Sequence, residues 1–193
     1  MSNDNRLANF FFEAGFLQNM ERTGLPYLGS GSQNVASHVY RTCIIGFTLA
    51  SEVGADADKV LKMCLFHDIE EARTGDLNYL QQRYVDSDDD RALSHALKGL
   101  PIESSVKELI DEFTEQKTIE ARLAKDADVL ELILFLKEQA DKGNDQAKRW
   151  IRAALTRLKT DRAKGMAEGI LETLYYEWWY GEDDDWKGGS KNW

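Results

Sequence analysis

Residues 65–77 read LFHDIEEARTGDL, and the placement of the His67-Asp68 pair at the end of a helical stripe decides how the rest of the chain is read. Upstream, Val60, Leu61, Cys64 and Leu65 recur at the three- and four-residue spacing of one helical face, and that spacing carries the face onto His67 and Asp68. Both side chains are therefore expected to point inward. A second stripe, Val35, His38, Thr42, Ile45 and Leu49 with Val39, Cys43 and Phe47 beside it, turns His38 inward as well. Over 119–141, Ala121, Ala124, Asp128, Leu132 and Phe135 share a face, whereas Asp126 aligns with Arg122 on a more polar one. Asp128, not Asp126, is the expected buried carboxylate.

An ionised carboxylate is costly to bury unless it is paired or bound to a metal. Two imidazoles and two carboxylates on three inward-facing stripes would all be satisfied by one cation. His and Asp donors suit a divalent ion such as Mn, Fe, Co, Zn or Mg, and neither Cys43 nor Cys64 lies at the spacing of a thiolate site.

Outward from this block the chain reads as helices: 5–22, 34–53, 57–67, 77–84, 89–98, 103–116, 119–141, 145–158 and 162–180. Strand alternation is nearly absent, and the only prolines, Pro26 and Pro101, fall outside the periodic segments. An all-α fold follows, with one domain over 1–180 and an acidic, Gly-containing tail over 181–193 that carries Trp186 and Trp193. The acidic run at 86–90 reads as a solvated helix start, and His95 as a surface residue.

The 193 residues include 24 Lys plus Arg against 34 Asp plus Glu, a net charge of −10, which disfavours nonspecific binding to nucleic acid or an anionic membrane. Hydrophobic residues at 42% and charged residues at 30% exclude a disordered chain, and no apolar run is long enough for a membrane span. Two cysteines make no disulfide framework, and the first residues lack a secretory pattern, so a reducing cytoplasm is expected. Phosphate approaching so acidic a chain needs a nearby guanidinium. Arg22, Arg41 and Arg73 stand closest to the stripes' polar residues.

The order His38, His67-Asp68, Asp128 resembles the H…HD…D signature of HD-domain metal-dependent phosphohydrolases. Local text narrows the resemblance to the small 5'-deoxynucleotidases: RTGL at 22–25, NVASHVYR at 34–41, LFHDIEEARTGDL at 65–77 and IEARLAKDAD at 119–128. The resemblance covers about residues 5–140. It implies a single HD-domain helical bundle with extra carboxyl-terminal helices and a divalent cation on His38, His67, Asp68 and Asp128. It further implies Arg22 on the phosphate, Glu71 as acid/base and Asp76 as a substrate-orienting group near the sugar, although in some relatives the pair equivalent to Glu71 and Asp76 binds a second metal instead. Asn78 and Arg41 are further candidates for substrate contact, with pairing to a carboxylate as the alternative for Arg41.

The implied reaction is hydrolysis of nucleoside 5'-monophosphates to nucleoside and inorganic phosphate. The alternatives are another nucleotide substrate (cyclic nucleotide, alarmone or triphosphate) or a silent nucleotide-binding module. A homodimer is expected from the family, with some aromatics of the segment LYYEWWY at 174–180 either at its interface or packed under it. Two departures stand out. Ser37 occupies the position before the first motif His where many relatives carry an acidic residue, and Thr23 or Leu25 replaces an aromatic that in some relatives rejects ribonucleotides.

Overall fold

A computed structural model describes residues 3–180. The chain runs through α1 (Asn3–Phe16), α2 (Val35–Val53), α3 (Ala57–Phe66), α4 (Glu71–Thr74), α5 (Asp89–Leu97), α6 (Glu103–Glu115), α7 (Ile119–Asp141), α8 (Asp145–Leu155), α9 (Asp161–Glu172) and α10 (Glu177–Tyr180). Among the described residues there is no strand beyond an isolated antiparallel bridge between Glu21 and Asn34.

Short polar side chains set the helix starts by accepting orphan backbone N–H groups. Asn34 accepts from the Ser37 N–H at 2.7 Å and opens α2, Asp56 accepts from Lys59 and opens α3, and Thr118 accepts from Ala121 and opens α7. Gly54, at φ 71°, closes α2 in the left-handed region that favours glycine.

α7 is the axis of the bundle. α2, α3, α6, α8 and α9 all pack on it, and Leu123, Leu130, Ile133 and Leu136 are fully enclosed. Each such side chain contributes on the order of 1.5–3 kcal/mol of transfer free energy. α2 lies against α3 at a point where only glycine fits. A Cβ on Gly46 would stand 2.6 Å from Cys64 Sγ and 3.1 Å from Val60 Cγ1.

Several expectations need correction. The first helix stops at Phe16, because a 3-10 turn at Leu17–Asn19 gives way to extended chain that receives the Val35 N–H on Met20 O at 2.9 Å. Residues 77–84 form no helix beyond a 3-10 turn at Gln81–Arg83. Asn78 Oδ1 accepts from the N–H groups of Leu80 and Gln81 and holds a turn there. The last long helix breaks at Thr173, with φ −91° and ψ 133°, and the Tyr175 N–H is taken by Asp141 Oδ2 at 3.1 Å. On α3 the inward stripe includes Met63, while Leu65 is half exposed, and Phe47 on α2 also faces out.

Asp126 is the largest departure. It is fully buried, with its carboxylate oxygens taken by the N–H of Lys159 at 2.7 Å and by the N–H and hydroxyl of Thr160 at 2.8 and 2.7 Å. α7 is enclosed on nearly all sides, so the face shared with Arg122 is not a solvent face at Asp126. His95 is exposed as expected. The tail over 181–193, with Trp186 and Trp193, lies outside the described residues.

Candidate active site

Helix position delivers each side chain. His38 sits one turn into α2, just past its Asn34 cap, and is fully buried. His67 ends α3, Asp68 follows in the turn, and Glu71 begins the short α4. Gly75, at φ 83°, ends α4 and redirects the chain so that Asp76 faces the same cleft. Asp128 comes from α7.

These residues converge. Ligand atoms of His38, His67 and Asp128 all lie within 4.8 Å of one another. Asp68 Oδ2 is 3.2 Å from His67 Nε2 and 3.7 Å from His38 Nε2, and Asp128 Oδ1 is 3.3 Å from His38 Nε2. Yet both Nε2 atoms are buried and have no hydrogen-bond partner among the described residues. Their Nδ1 atoms are engaged on the far side, His38 with Glu131 at 2.5 Å and His67 with the Cys64 carbonyl at 2.8 Å. Two buried imidazole nitrogens left open beside two carboxylates fit a divalent cation's donor set.

The charges respond to this crowding. Burial opposes a charge on His38, but the Asp128 and Glu131 carboxylates outweigh it and raise its pKa to about 9. Burial lowers that of His67. For Asp128, burial is overcome by the charge of Lys125, whose Nζ lies 3.0 Å away, and by His38 and His67, which hold the carboxyl well below its usual range. Glu71 is pushed up to about 10 by burial, then by the charges of Asp68 and Asp76, and its Oε2 has no hydrogen-bond partner among the described residues. A cation among His38, His67 and Asp128 would draw it back down.

Arg22 bridges the cluster and its rim, 3.8 Å from Asp68 and 3.6 Å from Asp76. Burial disfavours its charge, but the carboxylates of Asp68, Asp128, Asp76 and Glu71 raise its pKa further. Asp76 is held in turn by Thr23, whose N–H donates to Oδ2 at 2.5 Å and whose hydroxyl donates to the Asp76 carbonyl at 2.7 Å. Asn78 Nδ2 donates to Thr23 O at 3.3 Å and lines the same cleft.

The cleft has a volume of about 940 Å3. It is lined by the polar side chains of Arg22, Asp68, Glu71, Asp76, Lys125 and Asp128 and by the apolar ones of Tyr27, Leu132 and Trp150. Arg41 and Arg73 do not join it. Arg41 pairs with Glu131 at 2.7 Å and with Glu138, and it lines a separate cavity, while Arg73 pairs with Glu13 near α1.

Sequence reasoning missed Glu131 and the α8 wall. A lone carboxylate within the apolar run VLELILF at 129–135 was the available signal for the first. Trp150 carries no comparable mark, because an aromatic on an amphipathic helix reads as core.

Residues 14–170 match the family model described as HD domain. The 5'-deoxynucleotidase HDDC2 of Dictyostelium discoideum is 30% identical over 65% of this chain and 73% of its own length. A conserved hypothetical protein from Pyrococcus furiosus superposes with a TM-score of 0.71 at 27% identity, covering 86% of this chain and 99% of that one. The cyanophage S-2L HD phosphohydrolase DatZ, solved with dA and one catalytic zinc ion, shares the fold with a TM-score of 0.53 at 20% identity, over 83% and 93% of the two chains. With the family match running from α1 into α9, through every helix that delivers a residue to the cleft, this chain belongs to the HD-domain phosphohydrolases and is a hydrolase.

Proposed function

We propose that this enzyme hydrolyses nucleoside 5'-monophosphates to nucleoside and inorganic phosphate, with a divalent cation held by His38, His67, Asp68 and Asp128. The observation that carries the reading is the pair of buried, unpartnered Nε2 atoms beside Asp68 and Asp128, in the cleft that also holds Arg22 and Glu71. When bound, such a cation supplies Lewis acidity toward a phosphoryl oxygen and acidifies water.

The chain's own residues do the rest. Arg22 holds the phosphate as a charge-assisted donor and fixes it against the cluster. Glu71 carries a proton on its buried carboxyl and delivers it to the departing 5' oxygen as water adds to phosphorus and the P–O5' bond breaks. Asp76 and Asn78, braced by Thr23, face the sugar. The apolar surface of Leu132 and Trp150 suits a nucleobase, and relatives such as HDDC2 are named 5'-deoxynucleotidases.

A second reading, a nucleotide with further phosphates, has its own observation. Arg149 and Arg157 line the same cleft from α8 and the turn after it, and neither has a carboxylate partner among the described residues. Release of inorganic phosphate from deoxy- and ribonucleoside mono-, di- and triphosphates, with Mn, Co, Mg or Zn added to metal-stripped protein, tests both. Turnover of monophosphates alone supports the first reading, and turnover of triphosphates alone overturns it.

The family's homodimer is also proposed, with the exposed Leu174, Tyr175, Trp178 and Trp179 as its surface. A mass of one chain by sedimentation at micromolar concentration would overturn it. Cys43 and Cys64 are buried thiols whose pKa values burial raises.

A further inference from the structure

Ser37 leaves His38 without an acidic neighbour in sequence, yet the ring is gripped on the side away from the cleft. Glu131 stands one turn after Asp128 on α7, with 1% of its surface exposed. Its Oε2 lies 2.5 Å from His38 Nδ1. Its Oε1 accepts from Gln33 Nε2 at 2.6 Å, from Arg41 Nε at 2.9 Å and from Arg41 Nη2 at 2.7 Å. Arg41 is itself fixed by Glu138. A carboxylate in so apolar a stretch of helix is tolerable only with this many donors.

An ionised carboxylate is an acceptor only, so the contact requires the proton on Nδ1. In a neutral imidazole that leaves the Nε2 lone pair directed at Asp68, Asp128 and His67. His67 has the same arrangement, except that a backbone carbonyl, Cys64 O, receives its Nδ1–H. One ring is thus oriented by main chain, the other by a side chain that can be exchanged.

We propose that Glu131 is the positioning residue of the metal site: by accepting from His38 Nδ1 it fixes that ring's tautomer and orientation and presents Nε2 as a ligand. Arg41 and Gln33 act through it, which gives Arg41 its place in the structure outside the substrate cleft. The inference rests on the metal reading above, and the test separates the two.

Metal-stripped wild-type protein, Glu131→Gln and Glu138→Gln are titrated with Co2+ and followed by visible absorption. Wild type is expected to bind about one equivalent, Glu131→Gln to bind about 10–100-fold more weakly with unchanged circular dichroism, and Glu138→Gln to stay within about twofold of wild type. Failure of the wild type to bind overturns the metal reading and this inference with it. A folded Glu131→Gln protein with wild-type affinity overturns this inference alone. Should that variant not fold, 15N spectra of histidine-labelled wild type loaded with Zn2+ decide the matter. A proton on His38 Nδ1 with Nε2 on zinc supports the assignment, and a proton on Nε2 overturns it.

Discussion

Asp126 and Asp128 stand two residues apart on α7 and face opposite environments. Asp126 spends its carboxylate on two backbone N–H groups and a hydroxyl, all from Lys159 and Thr160, and so ties the start of α9 to the axis of the bundle. Asp128 lies among imidazoles whose Nε2 atoms have no hydrogen-bond partner among the described residues, with Lys125 Nζ donating to it at 3.0 Å. Asp126 is fully buried and Asp128 keeps 13% of its side chain exposed, the reverse of the expected order, so depth of burial does not mark the functional carboxylate. Saturation of its neighbours does.

The strongest break should come at Asp128. Asp128→Ala is expected to abolish metal retention and turnover while the fold survives, as read by metal analysis, phosphate release and circular dichroism. Tight metal retention with normal turnover would remove Asp128 from the ligand set. Glu71→Gln should come next. It should retain metal yet lose about 10²–10⁴-fold in turnover, the range for a general acid or base, and near-native turnover would return Glu71 to an ordinary buried carboxyl.

Asp126→Ala should invert the pattern. We expect a loss of about 2 kcal/mol from the donors it strands, seen as a fall in Tm of ~4–8 °C, with metal bound per folded molecule unchanged. A variant with wild-type Tm would show that the α9 start is held by other contacts.

The smallest effect concerns protons. His38, raised to about 9, is protonated at pH 7 before metal enters, whereas burial lowers the pKa of His67. Lower pH favours the proton over the metal, so affinity should rise with pH by up to about tenfold per unit and level off above about 9. Calorimetry in two buffers of different ionisation enthalpy should show about one proton released at pH 7. Release of none would place that proton elsewhere.

Much of this was legible because helical spacing is a local property. The stripes that turned His38, His67 and Asp68 inward depend only on neighbours three and four residues away, and those side chains meet in the structure. Asp126 was illegible for the opposite reason. Its partners lie more than thirty positions downstream and are mainly backbone groups, which leave no mark in residue type. The misread helix at 77–84 failed through competition: apolar residues suggested a helix, but Asn78 offered the backbone a turn instead. Glu131 was visible as an anomaly, a charge inside an apolar run, although the spacing did not say that it would face His38.

Gly46 gives the site its width. It meets Cys64 two turns along α2 from His38, and Cys64 lies one turn before His67, so the distance between the two helices there governs the distance between the two rings, whose centroids are 5.4 Å apart. A single methyl at position 46 would act as a wedge against Cys64 and Val60, prising α2 from α3 and spreading the imidazoles. The spacing of the rings thus rests on a hydrogen atom that belongs to neither of them. Enlarging that atom, as in Gly46→Ala, should weaken metal binding, read by titration with Co2+.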